Sequence, residues 1–244
     1  MSDQRREPAG EHPVQPPTEP GTALHLALVL LVAASGAVEA ISFTALEHVF
    51  AGVMTSNLAL LGMAIGRGQA TGVTAAVLAL TGFALGAAVT ARLTRRSGDA
   101  GPGWPAPVMY CLTGEAVVLA AGAVIWAAMG GTPGQTARDA LQFGAAATMG
   151  VQSAAMVAAG RAAAPTTYLT GTLATYIVRG VGAGRPNRWV PAQLAALMVG
   201  AGVSMLLLRE APGWAGVLPV ALVVCAILTA AAPVIRMRRG PSGS

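Results

Sequence analysis

Lysine is missing from this chain: all 15 of its basic residues are arginine. Charged residues of both signs fill only 10% of its 244 positions, and aromatic residues only 5%. So little charge cannot cover the surface of a water-soluble domain, which excludes that class. Cysteine occurs twice, at Cys111 and Cys225, each inside an apolar run, with no CxxC and no histidine at ligand spacing. That excludes a disulfide framework and gives no zinc centre, so both read as plain helix residues. His25 and His48 also lack ligand partners and read as interfacial residues. No P-loop, nucleophile elbow, HExxH or dinucleotide fingerprint is present, so no cofactor and no ATP-driven step is expected. An intramembrane enzyme would need a convergent nucleophile and base, and none appears; the chain is expected not to be an enzyme.

What the chain does have is apolar length. Hydrophobic residues make up 54% of it and its mean hydropathy is +0.61. Several uncharged runs approach the roughly twenty residues that a helix needs to cross a bilayer. None alternates strictly in short segments, which disfavours a β-barrel. The pattern predicts an all-α membrane protein with helices over 23–46, 71–93, 106–129, 138–160, 189–209 and 214–236. Two shorter apolar stretches, 49–66 and 165–178, carry polar triplets where a span would be apolar, and read as broken or re-entrant helices. Residues 1–22, with Pro8, Pro13, Pro16, Pro17 and Pro20, read as a disordered polar tail, and 237–244 as a short basic one. The tract 23–40 has some features of a signal peptide, but its internal copy lies mid-chain, which argues against cleavage.

That copy is the second feature. Gly36-Ala-Val-Glu39-Ala40, followed by Thr55-Ser56-Asn57, returns as Gly150-Val-Gln152-Ser153-Ala154, followed by Thr170-Gly171-Thr172. The single membrane domain, 23–236, therefore reads as two repeats, 23–129 and 138–236. The arginines bear on how they insert. With the N-terminus cytoplasmic and the short stretches not crossing, only Arg67, Arg138 and Arg209 face outward and the other twelve lie inside. If both stretches crossed, the division would be ten against five, a poorer fit to the positive-inside rule. Six spans put three in each half. Three is odd, so the second half inserts upside down, an inverted 3+3 repeat. In that arrangement the two triplets enter from opposite sides and approach each other near the midplane. Eight spans would give parallel repeats instead.

Polar residues inside the apolar runs are the candidate site. An ionised carboxylate at Glu39 costs roughly 3 kcal/mol on insertion scales, so it faces the protein interior, where it is a candidate proton carrier. Alternatively it lies shallow beside Glu47 and His48 and meets water. Thr55, Ser56 and Asn57, with Thr170, Gly171 and Thr172, offer hydroxyls, an amide and freed backbone groups to a small polar solute or ion. Alternatively they only bond one another across a helix interface. Glu115, near mid-bilayer, is a second proton or cation group or a partner for Gln142 or Gln152; its repeat counterpart near Val223–Ala226 is apolar. Gln152 shares a face with Met149 and Met156 and points into the bundle with Ser153 beside it, for a structural bond or a substrate contact. Gly82-x-x-x-Gly86 reads as packing, and Trp104, Trp189 and Trp214 as interfacial anchors.

At these residues the chain resembles the YoaK family of uncharacterised bacterial membrane proteins. That family's pattern is Gly-x-x-Asp-Ala, Phe-x-x-x-x-Thr-Gly-Asn, Gly-x-Gln-x-Ala and Thr-Gly-Thr. Here it reads Gly36-Ala-Val-Glu39-Ala40, Phe50 to Asn57, Gly150-Val-Gln152-Ser153-Ala154 and Thr170-Gly171-Thr172. Glu39 stands where Asp is usual. Ser56 stands where Gly is usual, and its Cβ disfavours positive φ there. The resemblance implies a multi-span membrane protein and lends no activity. The expectation is a multi-pass protein of a bacterial plasma membrane, with both termini cytoplasmic, acting as a secondary transporter or channel for a small polar solute or ion, proton-coupled through Glu39. The lipid bilayer and that solute are its partners; no nucleic acid is expected despite the pI of 10.2. The alternative is a non-transporting scaffold or lipid-binding accessory protein, with a dry, packed centre.

Overall fold

The computed structural model describes residues 21–95, 103–160, 169–183 and 188–238. The expected tail at 1–20, the start of the 165–178 stretch and residues 239–244 lie outside them. The described residues form eight α-helices: α1 (Thr22–Ile41), α2 (Met54–Gly66), α3 (Ala70–Thr94), α4 (Ala106–Ala128), α5 (Gln135–Ala158), α6 (Leu169–Ala183), α7 (Trp189–Glu210) and α8 (Val217–Arg238). Each of the six long runs is a helix within a few residues of its expected ends, and α8 continues through Arg238, past the start of the expected basic tail. A five-residue π turn, Ser42–Leu46, extends α1.

Local chemistry sets several boundaries. Pro105 and Pro107 start α4, where a missing N–H costs nothing. Gly130 at φ +65° ends it, since a left-handed residue lets the chain turn away. The α2–α3 turn needs the same freedom at Gly68 (φ +66°), where Gln69 N–H reaches back to the Ala64 carbonyl at 2.9 Å.

Among the described residues, five segments are long and apolar enough to cross a membrane: α1 with its π turn, α3, α4, α7 and α8 with the turn before it. The sixth expected span, α5, is as long (24 residues) but less apolar, because Gln142, Thr148, Gln152 and Ser153 interrupt it. All four are buried, so this helix turns its polar groups inward. Leu24, Leu28 and Leu31 of α1 form the main core with Val108 and Leu112 of α4, Ala155 and Met156 of α5, and Val223 and Ala226 of α8.

Glycine brings two helix pairs into backbone contact. A Cβ at Gly86 of α3 would sit 2.0 Å from the Ala147 carbonyl oxygen of α5, and one at Gly150 of α5 would sit 2.1 Å from that of Phe83 in α3. The α1–α7 pair repeats this arrangement. Gly36 faces the Leu197 carbonyl at 2.2 Å and Gly200 faces that of Ala33 at 2.0 Å. The displacement that carries Gly36 to Gly150 also carries Phe83 to Leu197, Gly86 to Gly200 and Ala33 to Ala147. Gly82 likewise presses on Phe143, so Gly82-x-x-x-Gly86 is a packing motif.

Helix directions follow from contacts. His25 stacks on Trp189 at 4.5 Å and Ser204 Oγ donates to the Ala37 carbonyl, so α1 and α7 are parallel. Gln152 Nε2 donates to the Leu31 carbonyl at 3.4 Å, while Ser42 meets Gln142 at 2.8 Å, so α1 and α5 are antiparallel. Gly82 over Phe143 and Gly86 over Ala147 make α3 parallel to α5. Arg67, Arg138 and Arg209 consequently lie toward one end of the bundle, and Arg92, Arg95 and Arg188 toward the other.

Candidate functional site

After the π turn the chain doubles back. Ala51 and Gly52 return to the level of Glu39, about 10 Å short of the end of the π turn at helical rise, and α2 then climbs back to the turn into α3. Val49, in the returning loop, packs on Ala75, Ala76 and Ala79 of α3 and Ala146 of α5. His48 takes the left-handed conformation (φ +57°) that this reversal requires, with its Nδ1 2.9 Å from the Phe43 carbonyl.

Three polar side chains hold this returning loop. Glu39 Oε2 accepts the Ala51 N–H at 2.9 Å and Oε1 accepts the Gly52 N–H at 2.7 Å. Glu39 therefore points into the protein, as the first of its two expected placements has it. Asn57 forms a closed pair with one peptide unit: Oδ1 accepts the Phe50 N–H at 2.9 Å and Nδ2 donates to the Phe50 carbonyl at 2.7 Å. Ser42 Oγ donates to the Val49 carbonyl at 2.7 Å and lies 2.8 Å from Gln142. A hydroxyl has one proton, so with the Gln142 amide turned to present Nε2, Ser42 accepts there and donates to Val49. Backbone that leaves a helix inside a bundle must find partners, and these side chains supply them.

The fit around Glu39 is close. A Cβ at Gly52 would stand 2.8 Å from Glu39 Oε1 and 3.3 Å from Met149 Cβ, so only glycine lets the carboxylate reach the loop. Ala51, Met149 and Val38 pack together beside it. Among the described residues no cation pairs with Glu39: the ion pairs are Arg138–Glu47, at 3.4 Å, and Arg209–Glu210, at 3.0 Å. Two backbone N–H groups at the approach to α2, with the positive end of that helix's dipole, carry the whole interaction.

Neither triplet interrupts its helix. Thr55, Ser56 and Asn57 form the first turn of α2, and Thr170, Gly171 and Thr172 are helical within α6. The break in the first half falls in the loop before the triplet, whose backbone Glu39, Ser42 and Asn57 satisfy. Ser56 is helical, so its Cβ meets no conformational penalty. Thr55, Thr170 and Gly171 are exposed, Ser56 and Thr172 are partly so, and Asn57 is wholly buried. α6 packs on α7.

Gln152 is buried against α1 beside Met149 and Met156, as its helical spacing implies, and Ser153 is buried next to it. Glu115 is 1% exposed, and neither of its carboxyl oxygens has a hydrogen-bond partner, so it pairs with neither Gln142 nor Gln152. The displacement relating the glycine contacts puts Thr229 at its equivalent position, a correction to Val223–Ala226; Thr229 bonds back to the Cys225 carbonyl. Among the described residues no three His, Cys, Asp or Glu side chains gather as metal ligands. A cleft of about 80 Å³ beside Val38, Ile41, Val118, Leu119, Trp126 and Leu141 has an apolar lining.

Ser42, Gly52 and Phe50 escaped notice as site residues because what they do depends on where the loop returns. The four contact glycines carried a usable signal, a constant displacement between the two halves.

A family model described as "Protein of unknown function (DUF1275)" matches residues 27–231, a range running from α1 into α8. The UPF0700 transmembrane protein YoaK of Bacillus subtilis (strain 168) is 31% identical over 150 residues, which is 62% of this chain and 64% of that protein. The chain thus covers a little under two thirds of that relative's length. No solved structure matches. With the family match covering both copies of the motif and the returning loop between α1 and α2, this chain is a multi-pass membrane protein that belongs to the DUF1275 family.

Proposed function

We propose that this protein is a secondary transporter or channel for a small polar solute or ion, coupled to protons through Glu39. In this reading α5 is the sixth span, α2 and α6 are re-entrant half-helices, and the two halves form an inverted repeat in a bacterial plasma membrane with both termini cytoplasmic. One observation carries it: α1 and α5, which bear the two copies of the motif, are antiparallel partners, while the α1–α7 and α3–α5 glycine contacts exchange under the same displacement. An axis that turns α1 into an antiparallel α5 lies across the helices, in the membrane plane, which is the symmetry of many secondary transporters. The grouping of Arg67, Arg138 and Arg209 at one end supports the orientation. Glu39, Thr55, Ser56 and Asn57 in the first half, Gln152, Ser153, Thr170, Gly171 and Thr172 in the second, and Glu115 between helices are the residues assigned to the solute and proton path.

The scaffold or lipid-binding reading is favoured by a different observation: Glu39 and Asn57 are spent on the protein's own backbone, and the cleft is apolar. The two readings separate in liposomes. Purified protein, reconstituted around a pH-sensitive dye, is challenged with amino acids, sugars and inorganic ions in turn. Transport gives solute-dependent proton movement that Glu39→Gln abolishes while the variant still elutes as a single species. Silence toward every solute, or wild-type flux in Glu39→Gln, removes the coupled-transport reading.

A further inference from the structure

We propose that Glu39 is a proton-operated clasp: its ionised carboxylate holds the 49–52 loop and the start of α2 against α1, and protonation lets that segment swing away from the bundle. The inference rests on the transport reading, whose coupling residue it takes and whose moving part it names.

Consider first what ties the returning loop to its surroundings. The Asn57–Phe50 pair joins the loop to α2 itself, so it travels with the segment and does not anchor it. The described polar ties to the rest of the bundle are Glu39 to Ala51 and Gly52, and Ser42 to Val49. Val49 adds apolar contact with α3 and α5. Of these ties only Glu39's are charge-assisted, the stronger kind.

Protonation changes that tie in kind. An ionised carboxylate offers two acceptor oxygens, and both are used, at 2.9 and 2.7 Å. The neutral acid keeps one carbonyl oxygen and gains an O–H that opposes the second N–H. One bond is lost and the other loses its charge. The Gly52 backbone stands so close to the carboxylate that a Cβ there would lie 2.8 Å from Oε1, so the loop feels a change at that oxygen directly. What remains is one neutral bond from Glu39, the Ser42–Val49 bond, and the apolar contacts of Val49, Ala51 and α2, none of which carries charge. Acid therefore opens the segment, and alkali holds it shut.

Other titrating groups must be told apart from Glu39. The π turn and loop carry Glu47, which meets Arg138 at 3.4 Å and Gln135 at 3.0 Å, and His48, which bonds the Phe43 carbonyl. α5 adds Arg138 and Asp139, the latter bonded to Gln135. On α1 no other residue titrates beyond His25, which is stacked on Trp189 near the opposite end. α2 contributes none, α3 carries Arg92 in its last turn, toward the opposite end of the bundle, and α4 carries the buried Glu115 one turn before Leu119, which packs beside Val38 and Met149.

The test is a distance measured by pulsed electron resonance on full-length protein in lipid nanodiscs, with both native cysteines replaced by alanine. Spin labels go on Leu58→Cys and Val157→Cys, exposed positions on α2 and α5. At about pH 9 one narrow distance is expected; at about pH 5 a second, longer one, with its population ratio changed at least tenfold, as loss of a charge-assisted bond implies. Glu39→Gln should show the longer distance at both pH values. The Glu47→Gln/His48→Gln double variant should keep the wild-type transition. A pH-independent distance, or a transition lost in the double variant, overturns the clasp. If Glu39→Gln does not fold, the double variant still decides. Run beside the flux assay, a transition without flux sinks transport and keeps the clasp, while flux without a transition does the reverse.

Discussion

Glu39 Oε1 accepts the backbone N–H of Gly52 at 2.7 Å, joining the last turn of α1 to the approach of α2. The bond turns an intramembrane carboxylate from an isolated charge into the support of a chain reversal. Replacing Glu39 with Ala leaves two buried N–H groups without acceptors. That should cost about 2–5 kcal/mol, read as an earlier thermal unfolding transition in detergent. A melting temperature within a degree or so of wild type would show that the loop is held by something else.

Asn57 makes a demand on both of its amide atoms. Asn57→Asp keeps the acceptor toward Phe50 N–H but sets an oxygen against the Phe50 carbonyl, so it should destabilise by roughly 1–3 kcal/mol, about as much as Asn57→Ala. Ser56, one position earlier and helical, should behave differently. Ser56→Gly restores the residue usual in the resembled family pattern yet should lose roughly 0.5 kcal/mol, because glycine is the poorer helix former. A stabilising Ser56→Gly would mean that the α2 entrance uses positive φ.

The contact glycines can be tested against glycines with open space beside them. Gly36→Ala, Gly86→Ala, Gly150→Ala and Gly200→Ala each drive a methyl into a facing carbonyl and should cost about 1–3 kcal/mol or more by overpacking. Gly114→Ala and Gly144→Ala meet nothing within 4 Å and should be neutral or slightly stabilising. Equal damage from both sets would contradict the close approach of α3 to α5 and of α1 to α7.

Glu115 is buried without a partner, an arrangement that lowers stability. Glu115→Leu should raise the unfolding midpoint by about 1–3 kcal/mol equivalent, and under the transport reading it should abolish flux. A stabilised variant that retains full flux would remove Glu115 from the proton path.

Topology is open to direct labelling. Single cysteines at Ser97 and Gly184 should react with an impermeant reagent only from the cytoplasmic face, and one at Gly68 only from outside. Reaction of Gly68 and Ser97 from one face would require α2 or α3 to insert differently and would undo the six-span arrangement.

The helices were legible because the bilayer demands apolar length, and length is written in the chain: all six long runs lie where the uncharged tracts put them. The recurrence of the motif was legible too, since its residues keep their spacing, and so was the inward face of α5, where Gln152 recurs at helical intervals with Met149 and Met156. Less legible was the role of the polar motif. Thr55-Ser56-Asn57 reads as a break within a helix, whereas the break is the loop before it, because a peptide group at Phe50 can be satisfied by an Asn side chain seven positions away only after the chain has doubled back.

From the residues alone follow a lysine-free, membrane-spanning chain with a recurring polar motif and an acidic residue in its first span, since composition and recurrence are properties of order along the polymer. Which groups that acid meets, which glycines touch across helices, and that the two motif-bearing helices run antiparallel were decided by tertiary structure. Contacts between residues a hundred positions apart depend on helix direction and depth, and neither is carried by any short stretch of sequence.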